Sequence, residues 1–203
     1  MLRSPWPLPG ACPPQTRTAL TTWLEQLETW NQRMDLTAAR SREELCDLMV
    51  ADALELSSRL PSGLSVVDVG TGAGAPGLAL AVLRPDLRVT LVEPKVKRLA
   101  FLRTVLGVLE RSDVRLVQAR VQGLVEHAWD VAMARATFAP AKWLPLGRRL
   151  VVPGGSVWVL LAREAPPEDG FVEESSYTWP NTGVCRRLVR YETNPNIARL
   201  QCG

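Results

Sequence analysis

The sequence is poor in the residues that build metal and redox centres. Its 203 residues include one histidine, His127, and four cysteines, Cys12, Cys46, Cys185 and Cys202, which lie far apart with no CxxC pair. No histidine stands close enough to complete a zinc site, so no metal is expected and the cysteines read as reduced intracellular thiols. No apolar run approaches the ~20 residues that span a bilayer, and the first residues lack the continuous apolar core of a secretory signal. A cytoplasmic protein with no membrane partner is expected. Charge of one sign is scarce too, with 24 Lys and Arg against 21 Asp and Glu for a net charge of +3. That excess permits a nucleic-acid partner without requiring one, and no segment reads as a separate RNA-binding module. A hydrophobic content of 46% over this length suffices for one sizeable core.

The first fourteen residues, "MLRSPWPLPGACPP", carry five prolines, which fix backbone angles and remove donors, so 1–14 read as an irregular tail or a strap packed on the domain. Leu20, Leu24, Leu27, Trp30 and Met34 then recur at helical spacing and predict a helix over 15–34. "SREEL" at 41–45 reads as a capping box, Ser41 accepting from the Glu44 amide while Glu44 reaches back. The helix that follows has the stripe Leu45, Met49, Asp52, Leu56 and Leu60. Asp52 is then a carboxylate either at the border of the stripe or on the buried face, and both readings stay open. Residues 15–60 form a helical subdomain in this reading, ahead of a larger domain over 61–203.

From residue 64 the pattern alternates strand and helix: "LSVVDVG", "PGLALAVLRP", "RVTLVEP", "KVKRLAFLRTVLGVLE", "VRLVQA", "WDVAMAR", a helix around 138–149, and "GSVWVLLA". Continuous apolar strands between helices predict a parallel sheet covered on both faces. Residues 171–178 and 184–191, joined by "WPNTG", read instead as an antiparallel hairpin at the sheet edge. The expected architecture is therefore α/β: a seven-stranded, mostly parallel sheet ending in a hairpin, as in Rossmann-like class I S-adenosylmethionine-dependent methyltransferases, the whole forming one compact unit.

The stretch "VVDVGTGAGAPG" at 66–77 suits either a nicotinamide dinucleotide or S-adenosylmethionine. In a dinucleotide fingerprint the last glycine opens the helix beneath a pyrophosphate, whereas here Gly70, Gly72 and Gly74 alternate and Pro76 takes the helix start. Alternating glycines let a flat nucleoside and an amino-acid tail pass close to bare backbone. Glu93 ends the next strand, where an acid can accept from both ribose hydroxyls. The hairpin, the loop and the acid together favour S-adenosylmethionine.

Arg135 closes the fourth strand at the end where ligands of such sheets bind, and can pair with a bound carboxylate or an RNA phosphate. A structural salt bridge is the other reading. His127 falls in a loop and is assigned no catalytic role. Lys95, Lys97, Arg98 and Arg103 read as the solvated face of a helix, while Arg148, Arg149, Arg186, Arg187 and Arg190 form a later cluster able to touch phosphates. Seven tryptophans invite a base-stacking role, yet Trp23 and Trp30 sit near a helical core stripe and Trp158 inside a strand, so most are assigned to the core.

"TWNQRMDLTAAR", "VVDVGTGAGAPGLALAVLRPDLRVTLVEPKVKRLAFL" and "RATFAP" together resemble the RsmG (GidB) family of bacterial small-subunit rRNA methyltransferases, over most of residues 20–165. The resemblance implies methyl transfer from S-adenosylmethionine to N7 of a guanine in 16S rRNA within the small ribosomal subunit, by a monomer. It also implies Gly70, Gly72 and Ala75 at the cofactor loop, Glu93 at the ribose, Val121 and Gln122 at the adenine, and Arg135 as a positioning group near the reaction. The chain departs from the family pattern where Met49 and Ala53 replace a histidine and a serine flanking Asp52, where Gln122 replaces an acid, and where Arg163 stands near a missing lysine after the fifth strand. Methyl transfer to another RNA or a small molecule, or cofactor binding without turnover in ribosome assembly, fits the same residues.

Overall fold

The computed structural model describes residues 6–8, 12–168 and 170–193. Cys202 and most of the proline-rich tail lie outside the described residues. Trp6 and Leu8 are buried, and the Pro7 carbonyl accepts from the Cys46 thiol at 3.4 Å and from Asn181 Nδ2 at 3.0 Å, so this part of the tail is a packed strap.

Helix α1 (Pro14–Asn31) buries Leu20, Trp23, Leu24 and Leu27, the stripe that its spacing predicts. It stops three residues earlier than expected. The Asn31 side chain accepts from the Leu36 and Thr37 amides at 2.8 and 3.0 Å, turning the chain out of the helix. The next helix is interrupted: α2 (Arg42–Cys46) runs into a π-helical turn, Asp47–Ala51, and continues as α3 (Asp52–Ser57). Ser41 accepts from the Glu44 amide at 3.1 Å as expected, but the Glu44 carboxylate reaches the Arg40 amide at 2.8 Å, one residue before Ser41.

The seven strands are β1 (Ser65–Val69), β2 (Arg88–Val92), β3 (Arg115–Val117), β4 (Trp129–Arg135), β5 (Val151–Leu161), β6 (Glu173–Thr178) and β7 (Cys185–Glu192), in the order β3-β2-β1-β4-β5-β7-β6. The first five pair in parallel, while β7 runs antiparallel to both β5 and β6. This is the predicted sheet, with its closing hairpin. Strand β5 begins earlier than the apolar pattern suggested and is irregular there, with Trp129 facing Val151 but Val131 facing Ser156. Pro153 lacks a donor and Gly154 has φ +80°, so "PGG" interrupts the ladder.

Successive residues of β1 serve opposite faces. Val66 joins the core beneath α1, α3, α4 (Gly77–Leu83) and α5 (Val96–Val108), whereas Val67 and Val69 join the core beneath α6 (Pro140–Leu150). Trp23, Trp143 and Trp158 are fully buried, as the core assignment requires. No helix among the described residues is long and apolar enough to cross a membrane.

Candidate functional site

The parallel strands deliver the glycine loop, Glu93 and Arg135 to one edge of the sheet. Gly70, Gly72 and Gly74 have φ of +76°, +63° and +110°, in the left-handed region that glycine enters without a steric penalty. The Gly70 and Thr71 amides both donate to the Val92 carbonyl at the end of β2, at 2.8 and 3.1 Å, and the loop then folds back on itself as the Gly74 amide donates to the Thr71 carbonyl at 2.9 Å. From beneath, buried Trp23 of α1 donates its indole N–H to the Ala73 carbonyl at 3.2 Å. The helical region before the sheet therefore supports the loop directly.

Glu93 is almost fully buried just past β2, and its carboxylate accepts from the Gly72 amide at 3.1 Å and the Lys95 amide at 2.8 Å. The Arg98 guanidinium lies 3.8 Å away. A Cβ on Gly72 would meet no atom nearer than 3.8 Å, so bare backbone borders open space beside a fixed carboxylate. Each oxygen of Glu93 keeps accepting capacity for a hydroxyl donor. Next to it, Gly70, Pro94, Val121, Gln122 and Thr137 line an open cleft of about 340 Å³. Val121 is buried and apolar, able to cover a flat ring, while Gln122 is exposed and offers both donor and acceptor. A nucleoside with its ribose on Glu93 and its ring in this cleft fits these residues. Ala75 is apart from the others, with its methyl buried in the core and its amide donating to the Thr71 carbonyl at 3.1 Å.

Asp68 lies under the loop, fully buried, and accepts from the Gly77 amide at 2.8 Å. Burial pushes its carboxyl up to about 6, while the nearby Thr71 hydroxyl, the Gly77 amide and the charge of Arg135 pull the other way. Thr71 stops short of hydrogen-bond geometry, since both its Oγ1 and Asp68 Oδ1 lack a partner among the described residues. A carboxyl whose folded value is raised stabilises the fold below its unfolded value of 3.8 and loses that contribution as pH rises through about 6. Urea unfolding of Asp68→Asn at several pH values should therefore show the variant gaining on the wild type between pH 4 and 7, by about 3 kcal/mol for a two-unit shift. Parallel stability curves would contradict this account.

Arg135 meets Asp52. Its guanidinium donates to Asp52 Oδ2 at 3.0 Å and to the Leu48 carbonyl, and Asp52 Oδ1 also accepts from the Tyr177 hydroxyl and the Trp179 indole, both at 2.7 Å. At 1% exposure, Asp52 sits on the buried face and not at the border of the stripe. Burial, followed by the Asp52 charge, holds the Tyr177 phenol well above its ordinary value, so it stays a donor. Asp47, likewise buried, accepts from the amides and side chains of Asn181 and Thr182 in the hairpin turn. The π turn explains the pair, because its wider winding lets residues five apart share a face. Sequence reading missed Asp47, Tyr177 and Trp179. Their only signal was a pair of acids at a spacing that no α-helical stripe uses.

Arg135, Phe138, Leu160, Tyr177, Trp179 and Arg186 border a second, smaller cavity of about 110 Å³, which shares Phe138 with the first cleft. The partition between the two is Ala136–Phe138, where Ala136 takes φ +53° and the Thr137 hydroxyl lies 3.2 Å from the carbonyls of both Gly70 and Arg135. Met49 and Ala53 are buried in the core, and Arg163 is exposed past the end of β5. His127 borders neither cavity; it is exposed, with Nδ1 2.9 Å from the Val151 carbonyl. Lys95 at the cap of α5 and Lys97 and Arg103 on it are exposed, as a solvated helix face should be, whereas Arg98 is half-buried and turned toward Glu93. In the later basic cluster, Arg149 pairs with Glu126, Arg187 with Glu174, and Arg190 with Glu173 and Glu192. No group of three potential metal ligands occurs among the described residues.

Comparison with known proteins gives concordant results. A family model described as rRNA small subunit methyltransferase G (GidB) matches residues 16–175. A ribosomal RNA small subunit methyltransferase G from Methylobacillus flagellatus is 34% identical over 158 residues, covering 77% of this chain and 76% of its own. One from Halorhodospira halophila is 39% identical over 141 residues, covering 70% and 67%. Among solved structures, a methyltransferase from Pyrococcus furiosus superposes with a TM-score of 0.60 at 17% identity, over 85% of this chain and 96% of that one. The Burkholderia thailandensis 1,6-didemethyltoxoflavin-N1-methyltransferase, solved with S-adenosylhomocysteine, gives 0.57 at 14% identity, over 94% of both chains. These two likenesses concern the fold.

Proposed function

Starting from the fact that this chain belongs to the rRNA small subunit methyltransferase G family, we propose that it transfers a methyl group from S-adenosylmethionine to N7 of a guanine in 16S rRNA of the small ribosomal subunit. The observation that carries the cofactor assignment is the buried Glu93 carboxylate fixed against bare Gly72 backbone beside the cleft. When bound, S-adenosylmethionine supplies an electrophilic sulfonium methyl. Glu93 accepts from the ribose hydroxyls, the bare Gly72 backbone lets the ligand approach closely, Gly70 borders the cleft where Thr137 packs against its backbone, and Val121 and Gln122 border the adenine. Ala75 supports the loop from behind. The cytoplasm, where small subunits are made, is the proposed location, and the chain acts as a monomer. Residues 15–60 serve as a helical subdomain that braces the loop and the hairpin for the methyltransferase domain over 61–203.

Guanine N7 carries an in-plane lone pair and no proton, so its attack on the methyl needs no general base. The site is consistent with that economy. Its buried acids Asp52 and Glu93 are each held by donors, Asp68 is shut beneath the loop where it borders neither cavity, and its basic group, Arg135, is a permanent cation. The remaining task is alignment, which can supply roughly 7 to 11 kcal/mol of barrier lowering. Arg135 acts as a positioning group, fixing the end of β4 and the partition between the cavities.

Two measurements test the reading. N7-methylguanine should be present at one 16S position in cells with this gene and missing without it, and small subunits carrying 7-deazaguanine there should accept no methyl. The single-turnover rate at saturating substrates should be nearly flat between about pH 6.5 and 8.5, and His127→Ala should leave it unchanged. Transfer that persists onto the 7-deaza substrate, or a rising pH limb, would overturn the assignment to N7.

A further inference from the structure

The second cavity is unassigned by the cofactor, and part of its wall comes from beyond the stretch that the family model matches, which ends at residue 175. Tyr177, Trp179 and Arg186 come from the hairpin. Trp179 is buried at 4% exposure and locked by its indole bond to Asp52, while the turn that follows is tied to Asp47. Arg186 lies over the Trp179 ring, with its guanidinium carbon 4.1 Å from the ring centroid. Its neighbours Arg187 and Arg190 are in ion pairs, whereas the Arg186 guanidinium, though it feels the charge of Glu164 on the same cavity wall, makes no hydrogen bond or ion pair among the described residues. A flat cation is thus backed by a fixed indole at the wall of a cavity, with its donors uncommitted.

Resting on the methyltransferase reading above, we propose that Arg186, laid on Trp179, is the stacking platform that holds the target guanine in this cavity. Bases read from RNA are splayed out and stacked on aromatic rings or arginine planes. The usual arginine contact to guanine is a bidentate grip on O6 and N7. Here that grip would occupy the nucleophile, so the guanidinium must present its face and leave N7 free toward the cofactor cleft. The cavity and that cleft share Phe138 as a wall, so a base seated in the one is a neighbour of a cofactor bound in the other. Phe138 borders both spaces and stacks on Trp143, with centroids 5.8 Å apart and planes at 9°.

A platform and a phosphate contact make opposite demands on the side chain. A phosphate needs charge, which lysine keeps; a base needs a plane, which glutamine's amide keeps in part. Steady-state methylation of purified small subunits by the full chain should show Arg186→Ala and Arg186→Lys both raising KM for the subunit by roughly 5- to 100-fold. Arg186→Gln should come closer to the wild type than Arg186→Lys does. S-adenosylhomocysteine affinity, by calorimetry, should be unchanged in all three, which a folding defect would not allow. Wild-type behaviour of Arg186→Lys with loss in Arg186→Gln would show a phosphate contact and overturn the platform, as would wild-type KM in all three variants. Failure of the wild type to methylate small subunits would instead overturn the underlying activity, and the platform with it.

Discussion

Asp52→Ala should lower the thermal unfolding midpoint by roughly 6 to 20 °C. The carboxylate is 1% exposed and accepts from a guanidinium, a phenol and an indole, so its loss strands a half-buried cation, a half-buried phenol and a buried indole. Breaking a buried ion pair from one side costs about 3 to 5 kcal/mol. In a chain of this size each kcal/mol shifts the midpoint by about 2 to 4 °C. Asp52→Asn keeps an oxygen for the phenol and indole but not the charge facing Arg135, and should fall between. Turnover should drop a hundredfold or more in both, because the released arginine and hairpin carry the partition and the cavity wall, and misplacement of about 1 Å costs a factor of that order. Thermal unfolding followed by near-ultraviolet circular dichroism decides the stability half. A shift under 2 °C in Asp52→Ala would mean that the three contacts do not hold the hairpin.

Glu93→Ala should weaken S-adenosylhomocysteine binding at least about a hundredfold. Two ribose hydroxyls lose a charged acceptor, at roughly 1.5 to 3 kcal/mol for each strong bond. The Gly72 and Lys95 amides lose theirs as well, so the loop loosens in the same step. Glu93→Gln is not expected to rescue, since a side-chain amide offers one oxygen and one NH2 where two backbone donors converge. Calorimetry on both variants, with a nicotinamide dinucleotide as control, settles the matter. Unchanged affinity, or tighter binding of the dinucleotide by the wild type, would reject Glu93 as the ribose acceptor.

The parts of the molecule that were legible in the sequence are those governed by local rules. Apolar period made the five parallel strands and α1 readable, turn chemistry made the hairpin readable, and alternating glycines followed by an acid marked an edge of the sheet that the structure shows to be a cleft. What could not be read depends on partners far along the chain. Nothing near Asp52 in sequence announces Tyr177 or Trp179, and nothing near Asp47 announces the turn that it caps. The π turn that aims both acids has no compositional signature in "DLMVA". Asn31 stopped α1 through its own side chain, which a stripe of apolar residues cannot foretell. Ala75 was reached by resemblance alone, and its buried methyl shows that its place in the loop is also a packing position.

Sequence separation also sets an order of assembly. The loop, Glu93, Gln122 and Thr137 lie within residues 66–138, so a chain emerging from the ribosome has every part of the first cleft well before it is finished. The bond from Trp179 to Asp52 spans 127 residues, and that from Thr182 to Asp47 spans 135. Closing loops of that length waits for the last strands to appear, and contacts so distant form slowly. During synthesis the first cleft is thus complete before the second cavity, and the two acids on the π turn are the latches that the C-terminal hairpin closes on.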